Sequence, residues 1–130
     1  MLKLAITPIT PSIGAIVNNL TLSADLDEST VASIRAALDT HLVLVFPNQD
    51  LDAAALRDFT THFGPVFLHH SDEGVIHSDG VPEVLEMVKK ADGSRLFGGS
   101  DWHADVTFQR PEAMLSVLHA KEIDCATLRL

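Results

Sequence analysis

At 130 residues, with 46% hydrophobic and 21% charged side chains, the chain fits one globular domain over residues 1–130 and falls outside the disordered class. Its net charge of −9, from 9 Lys+Arg against 18 Asp+Glu, argues against a nucleic-acid partner, because phosphate binding needs clustered basic side chains. Cys125 is the only cysteine, so an intrachain disulfide is excluded. No leader-like N-terminus and no apolar stretch of about 18 residues appears, so a cytoplasmic chain without a membrane partner is expected.

Taken in order, residues 2–6 read as a short strand stopped by Pro8 and Pro11. Residues 14–23 suggest an extended segment with a turn at Asn18 and Asn19. A helix is expected over residues 28–40, capped by Asp27 or Ser29. Its apolar positions Val31, Ile34, Ala37, Leu38 and His41 or Leu42 recur at helical spacing. The apolar run 41–46, closed by Pro47, suits a buried strand.

A second helix is expected over residues 52–63, with Asp52 as N-cap and Leu56, Phe59 and Phe63 on one stripe. Gly64 and Pro65 then serve as its stop. Residues 72–82 are polar and contain glycine, which reads as a loop, and residues 83–89 have a strand-like centre. Glycines at 93, 98 and 99 mark a turn-rich stretch suited to a mobile lid. Residues 113–121 alternate enough for a strand. Early helices and later short strands together indicate α+β.

The sharpest chemical feature is Trp102-His103-Ala104-Asp105. On a strand, residues two apart share a face, so the His103 imidazole and the Asp105 carboxylate can converge on one point. They are two members of a 2-His-1-carboxylate set, which leaves the opposite face of iron(II) for a bidentate oxoacid and dioxygen. His-x-Asp alone recurs by chance in many chains, and a surface His beside a turn Asp accounts for it more often.

The surrounding residues, in order, change that balance. Residues 98–108 resemble the WHxDxTF block of the TauD/TfdA (taurine dioxygenase-like) family of iron(II)/2-oxoglutarate-dependent dioxygenases. Residues 14–23 are similar to the family's GA.I.G.DLS segment. Residues 34–49 are similar to I..AL..H.VLVFR.Q, with Pro47 in place of the usual Arg. Phe59 to Gly64 matches F...FG, and residues 114–122 match the strand after the metal block.

The resemblance implies a partial double-stranded β-helix, the jelly roll of clavaminate synthase-like proteins, with flanking helices and the C-terminal half absent. It implies an oxidoreductase that couples decarboxylation of 2-oxoglutarate, as cosubstrate, to hydroxylation of an unactivated C–H bond in a small organic acid such as a sulfonate. His103 and Asp105 carry over as ligands of Fe(2+). His69 falls where taurine-processing members place a substrate-contacting His, although a loop role beside His70 serves as well. Val106 and Phe108 fall on the substrate side, with core packing an equal account of both.

The pattern breaks after the block. The family's third ligand is a distal His, followed by an Arg that clamps the oxoacid. Here His119 sits on the next strand as a structural or edge residue, and Arg129 belongs to no motif. Residues 123–130 stand where the family has a Pro-rich turn and GGDT, with Thr127 as the candidate cosubstrate contact. The expectation is a truncated domain with weak or absent turnover alone, completed by self-association or by a complementing chain. The alternative is an inactive remnant acting as a binding or assembly partner. A metal site built from His69, His70, His77 and His103 has spacings that match no compact cluster. His70 and His77 read as loop residues, and His41 and His62 as helix residues.

Overall fold

The computed structural model describes residues 3–68, 76–78, 80–88, 102–105, 110 and 112–123. The chain divides into two compact units, Met1–His62 and Phe63–Leu130. The expected turn-rich stretch around residues 93–100 lies outside the described residues.

In the first unit, β1 (Ile6–Pro8) pairs antiparallel with β2 (Ala15–Val17), setting Ile6 opposite Val17. The strand begins later than residues 2–6, because Ala5 and Lys3 are engaged by a side chain instead. The Asn19 amide accepts from Ala5 N–H at 2.6 Å and donates to the Lys3 carbonyl at 3.0 Å. Gly14 adopts φ +87°, a conformation open to glycine at little cost, and its N–H donates to the His41 carbonyl. Ala15 follows with no exposed surface, and its N–H donates to the Val43 carbonyl. The Gly14-Ala15 pair therefore seats the sheet beneath the end of the first helix.

That helix, α1 (Glu28–His41), starts where the Asp27 carboxylate accepts from the Thr30 N–H at 2.9 Å and the Thr30 hydroxyl at 2.8 Å. Of the two candidate caps, Asp27 is the one used. The same bonds satisfy Thr30, which is only 2% exposed. Val31, Ile34 and Ala37 supply the buried stripe. The C-terminus closes on Leu42 in the left-handed region at φ 63°, with its N–H on the Leu38 carbonyl.

This cap corrects the buried strand expected over residues 41–46. The helix takes His41 and the αL turn takes Leu42, so β3 is only Leu44–Val45. It lies at the sheet edge, parallel to β2, with Ala15 opposite Leu44, and Val43 and Val45 remain exposed. A continuous apolar run alone does not distinguish a buried strand from a helix end and an edge.

The loops around β3 are joined by the Gln49 amide. It accepts from Leu22 N–H at 2.8 Å and donates to the carbonyls of Leu20 and Pro47. α2 (Ala53–Thr61) follows, capped by Asp52, which accepts from Ala55 N–H at 2.7 Å. Phe59 is its buried anchor, edge-on to Phe46 and to His62 with both centroids at 6.4 Å. The helix ends on His62 in ordinary αR geometry, not on Gly64. The Arg35 guanidinium donates to the His62 carbonyl at 2.6 Å, which helps satisfy that terminus.

In the second unit, β4 (Ile76–Ser78) and β5 (Val81–Glu86) form an antiparallel hairpin turning near Gly80, at φ +73°. The loop expected over 72–82 is therefore corrected at residues 76–78 and 81–82, which are strand. The polar reading missed β4 because Ser78 and His77 are held by partners across the hairpin. The Ser78 hydroxyl donates to Glu86, and His77 Nδ1 lies 2.6 Å from the Pro82 carbonyl. Residues 113–121 keep alternating exposure but join no ladder among the described residues, so the strand expected there is not formed. Helices and short strands of both pairing types give an α+β chain.

Candidate metal centre

Residues 102–105 carry no regular secondary structure, and the backbone bends at Asp105. The strand from which the two side chains were expected to converge is absent there, yet they meet. His103 Nε2 lies 3.3 Å from Asp105 Oδ1. The side chains are 60% and 53% exposed, so an ion can reach both without displacing core atoms. Oδ2, the other carboxylate oxygen, accepts from the Ser116 hydroxyl at 2.8 Å.

The separation is compatible with two uses of the pair. As a direct N–H···O bond, 3.3 Å is long against the usual value of about 2.9 Å. Two donors at right angles on one divalent ion, each about 2.1 Å from it, stand about 3.0 Å apart. The observed gap is close to that, so the pair can occupy adjacent positions of an ion with little movement. Imidazole nitrogen and carboxylate oxygen together suit iron(II) and its first-row neighbours. The His must be neutral at Nε2 to ligate. Among the described residues, no third His, Cys, Asp or Glu joins the pair in a three-ligand group.

The other sequence candidates divide plainly. His69, Val106, Phe108 and Thr127 lie outside the described residues, as do His70 and Arg129. His119 is half-buried on the segment that carries Ser116. His77 belongs to β4 rather than to a loop, while His41 ends α1 and His62 caps α2. Sequence reasoning missed two residues. Gln49 stands inside a family-like segment without any assigned role, and its polar side chain after Pro47 was the available signal. Ser116 is a polar break in the apolar alternation of residues 113–121, which hinted at a task but not at its partner.

No helix among the described residues is long and apolar enough to cross a membrane. The family profile described as "Taurine catabolism dioxygenase TauD, TfdA family" matches residues 5–125. An alpha-ketoglutarate-dependent sulfate ester dioxygenase of Pseudomonas putida is 33% identical over 120 residues, covering 92% of this chain and 38% of that protein. The (S)-phenoxypropionate/alpha-ketoglutarate-dioxygenase of Sphingobium herbicidovorans is 30% identical over 122 residues, covering 91% and 40%. Among solved structures, a taurine dioxygenase from Burkholderia xenovorans superposes with a TM-score of 0.59 at 36% identity, over 68% of this chain and 30% of that one. The chain thus spans well under half the length of the curated relatives it matches.

Proposed function

The chain belongs to the TauD/TfdA family, and from that premise we propose that it forms part of an iron(II)- and 2-oxoglutarate-dependent dioxygenase whose iron is held by His103 and Asp105. The observation that carries this reading is the 3.3 Å approach of His103 Nε2 to Asp105 Oδ1 at an exposed site. When bound, the ion would bring together dioxygen, which is the oxidant, and 2-oxoglutarate, whose oxidative decarboxylation would supply two of the four electrons that dioxygen takes up, the other two coming from the hydroxylated C–H bond. The contribution of this chain is to bind and orient. His103 donates its neutral nitrogen, and Asp105 supplies a negative oxygen beside it. A third protein ligand, from elsewhere in this polypeptide or from a second copy, completes the set.

Thr127 is the proposed contact to the oxoacid, and His69, Val106 and Phe108 the proposed substrate side of the site. The substrate is a small organic acid. A sulfonate is the proposed example, and the sulfate-ester and phenoxypropionate activities named for the two relatives support that anionic class. Residues 1–130 are read as belonging to one dioxygenase domain, with a jelly roll as its proposed framework.

Anaerobic iron(II) titration of the parent chain, His103→Ala and Asp105→Ala tests the assignment. Binding by the parent and loss in both variants is expected. Parent-like affinity in either variant overturns it.

A further inference from the structure

We propose that Ser116 is a positioning residue for the metal-ligating carboxylate, holding Asp105 so that one chosen oxygen faces His103. The proposal rests on the metal reading above. A carboxylate rotates about a broad torsion, and its two oxygens are equivalent until something distinguishes them. At an exposed bend such as Asp105, packing does not make that distinction.

The Ser116 hydroxyl does. An ionised carboxylate only accepts hydrogen bonds, so the 2.8 Å contact has the hydroxyl as donor and Oδ2 as acceptor. With Oδ2 engaged, Oδ1 is the oxygen left 3.3 Å from His103 Nε2. The charge-assisted bond links positions eleven residues apart, so the carboxylate is fixed by a second segment rather than by its own backbone alone. Ser116 can play this part because its segment alternates. Met114, Ser116 and Leu118 share the exposed face, while positions 115, 117 and 119 turn the other way.

The hydroxyl also sets how Asp105 ligates. A carboxylate with one oxygen bonded to Ser116 binds an ion through the other, whereas an untethered one can rotate or chelate through both. Loss of the hydroxyl therefore changes coordination geometry as well as affinity.

Cobalt(II), whose visible absorption reports coordination geometry, is the probe. It is titrated into the parent chain, Ser116→Ala, Ser116→Thr and His103→Ala, with circular dichroism confirming that each retains the parent fold. Removing an outer partner of a ligand typically weakens metal binding by about 10- to 100-fold, and this exposed bond belongs near about tenfold. Ser116→Ala is expected to show that loss together with an altered visible spectrum. Ser116→Thr, which keeps the hydroxyl, is expected to restore both affinity and spectrum. Parent-like affinity and spectrum in Ser116→Ala, with binding lost in His103→Ala, overturn the Ser116 proposal and leave the metal reading standing. Equal loss in the Ala and Thr variants overturns it too, because the hydroxyl is then not the operative group. Absence of cobalt binding by the parent overturns both readings.

Discussion

Polar side chains are used differently in the two units. In Met1–His62 four of them answer backbone groups: Asp27 and Asp52 cap helices, Asn19 clasps the start of β1, and Gln49 ties the loops around β3. In Phe63–Leu130 the His103-Asp105-Ser116 group is made of side chains answering one another in the open. The first arrangement stabilises a scaffold. The second leaves donor atoms where an ion can take them. Among the described residues most buried hydrophobic side chains, Val17, Ile34, Leu51 and Phe59 included, lie in the first unit, with Phe63 and Val81 in the second. Stability and chemistry should therefore respond to different substitutions.

The hardest blow to that division comes from Phe59, which is 3% exposed and packs edge-on to Phe46 and His62. Phe59→Ala is expected to cost about 3–5 kcal/mol in urea denaturation. His103→Ala should change stability by no more than about 0.5 kcal/mol, as exposed positions generally do. A comparable loss from His103→Ala would erase the distinction between scaffold and site.

Acid should weaken the scaffold through the Asp27 cap. Hydrogen bonds from the Ser29 hydroxyl, the Thr30 hydroxyl and the Thr30 N–H hold the Asp27 carboxyl at about 2, below its ordinary 3.8. A lowered native value means that its contribution is complete above pH 3.8 and disappears as pH falls through about 2. Far-UV circular dichroism across that window should show α1 weakening in the parent. Asp27→Asn should lose this part of the profile, and an unchanged profile would remove Asp27 from the account.

The smallest effect concerns Leu42, a side chain in left-handed geometry at 64% exposure. Glycine relieves that strain but adds freedom to the unfolded chain, leaving a net gain of about 0.5 kcal/mol for Leu42→Gly. A destabilised variant would mean that the Leu42 side chain contributes packing.

The same contrast explains what could be read in advance. Local signals located both helix starts, because Asp27 and Asp52 precede well-spaced apolar stripes. They placed the end of α1 within one residue, at His41 rather than residue 40, and overran that of α2. Leu42 accepts a conformation that its residue type disfavours, and the Gly64-Pro65 pair drew the expected stop of α2 past His62. β4 was hidden because its polar residues are satisfied across a hairpin, a relation that composition does not record. His103 and Asp105 were legible through their resemblance to a family block, although the strand invoked to bring them together is absent. Ser116 was not legible as a partner, since a hydrogen bond spanning eleven residues leaves no periodic trace.

Trp102 adds an optical property to this site. The chain has one tryptophan and no tyrosine, and that indole is fully solvent-exposed immediately before His103. Its emission should have the red-shifted character of an indole in water and should come from this single position. A paramagnetic ion held by the neighbouring residue would quench it at short range, giving the chain a built-in lamp that dims as the centre fills.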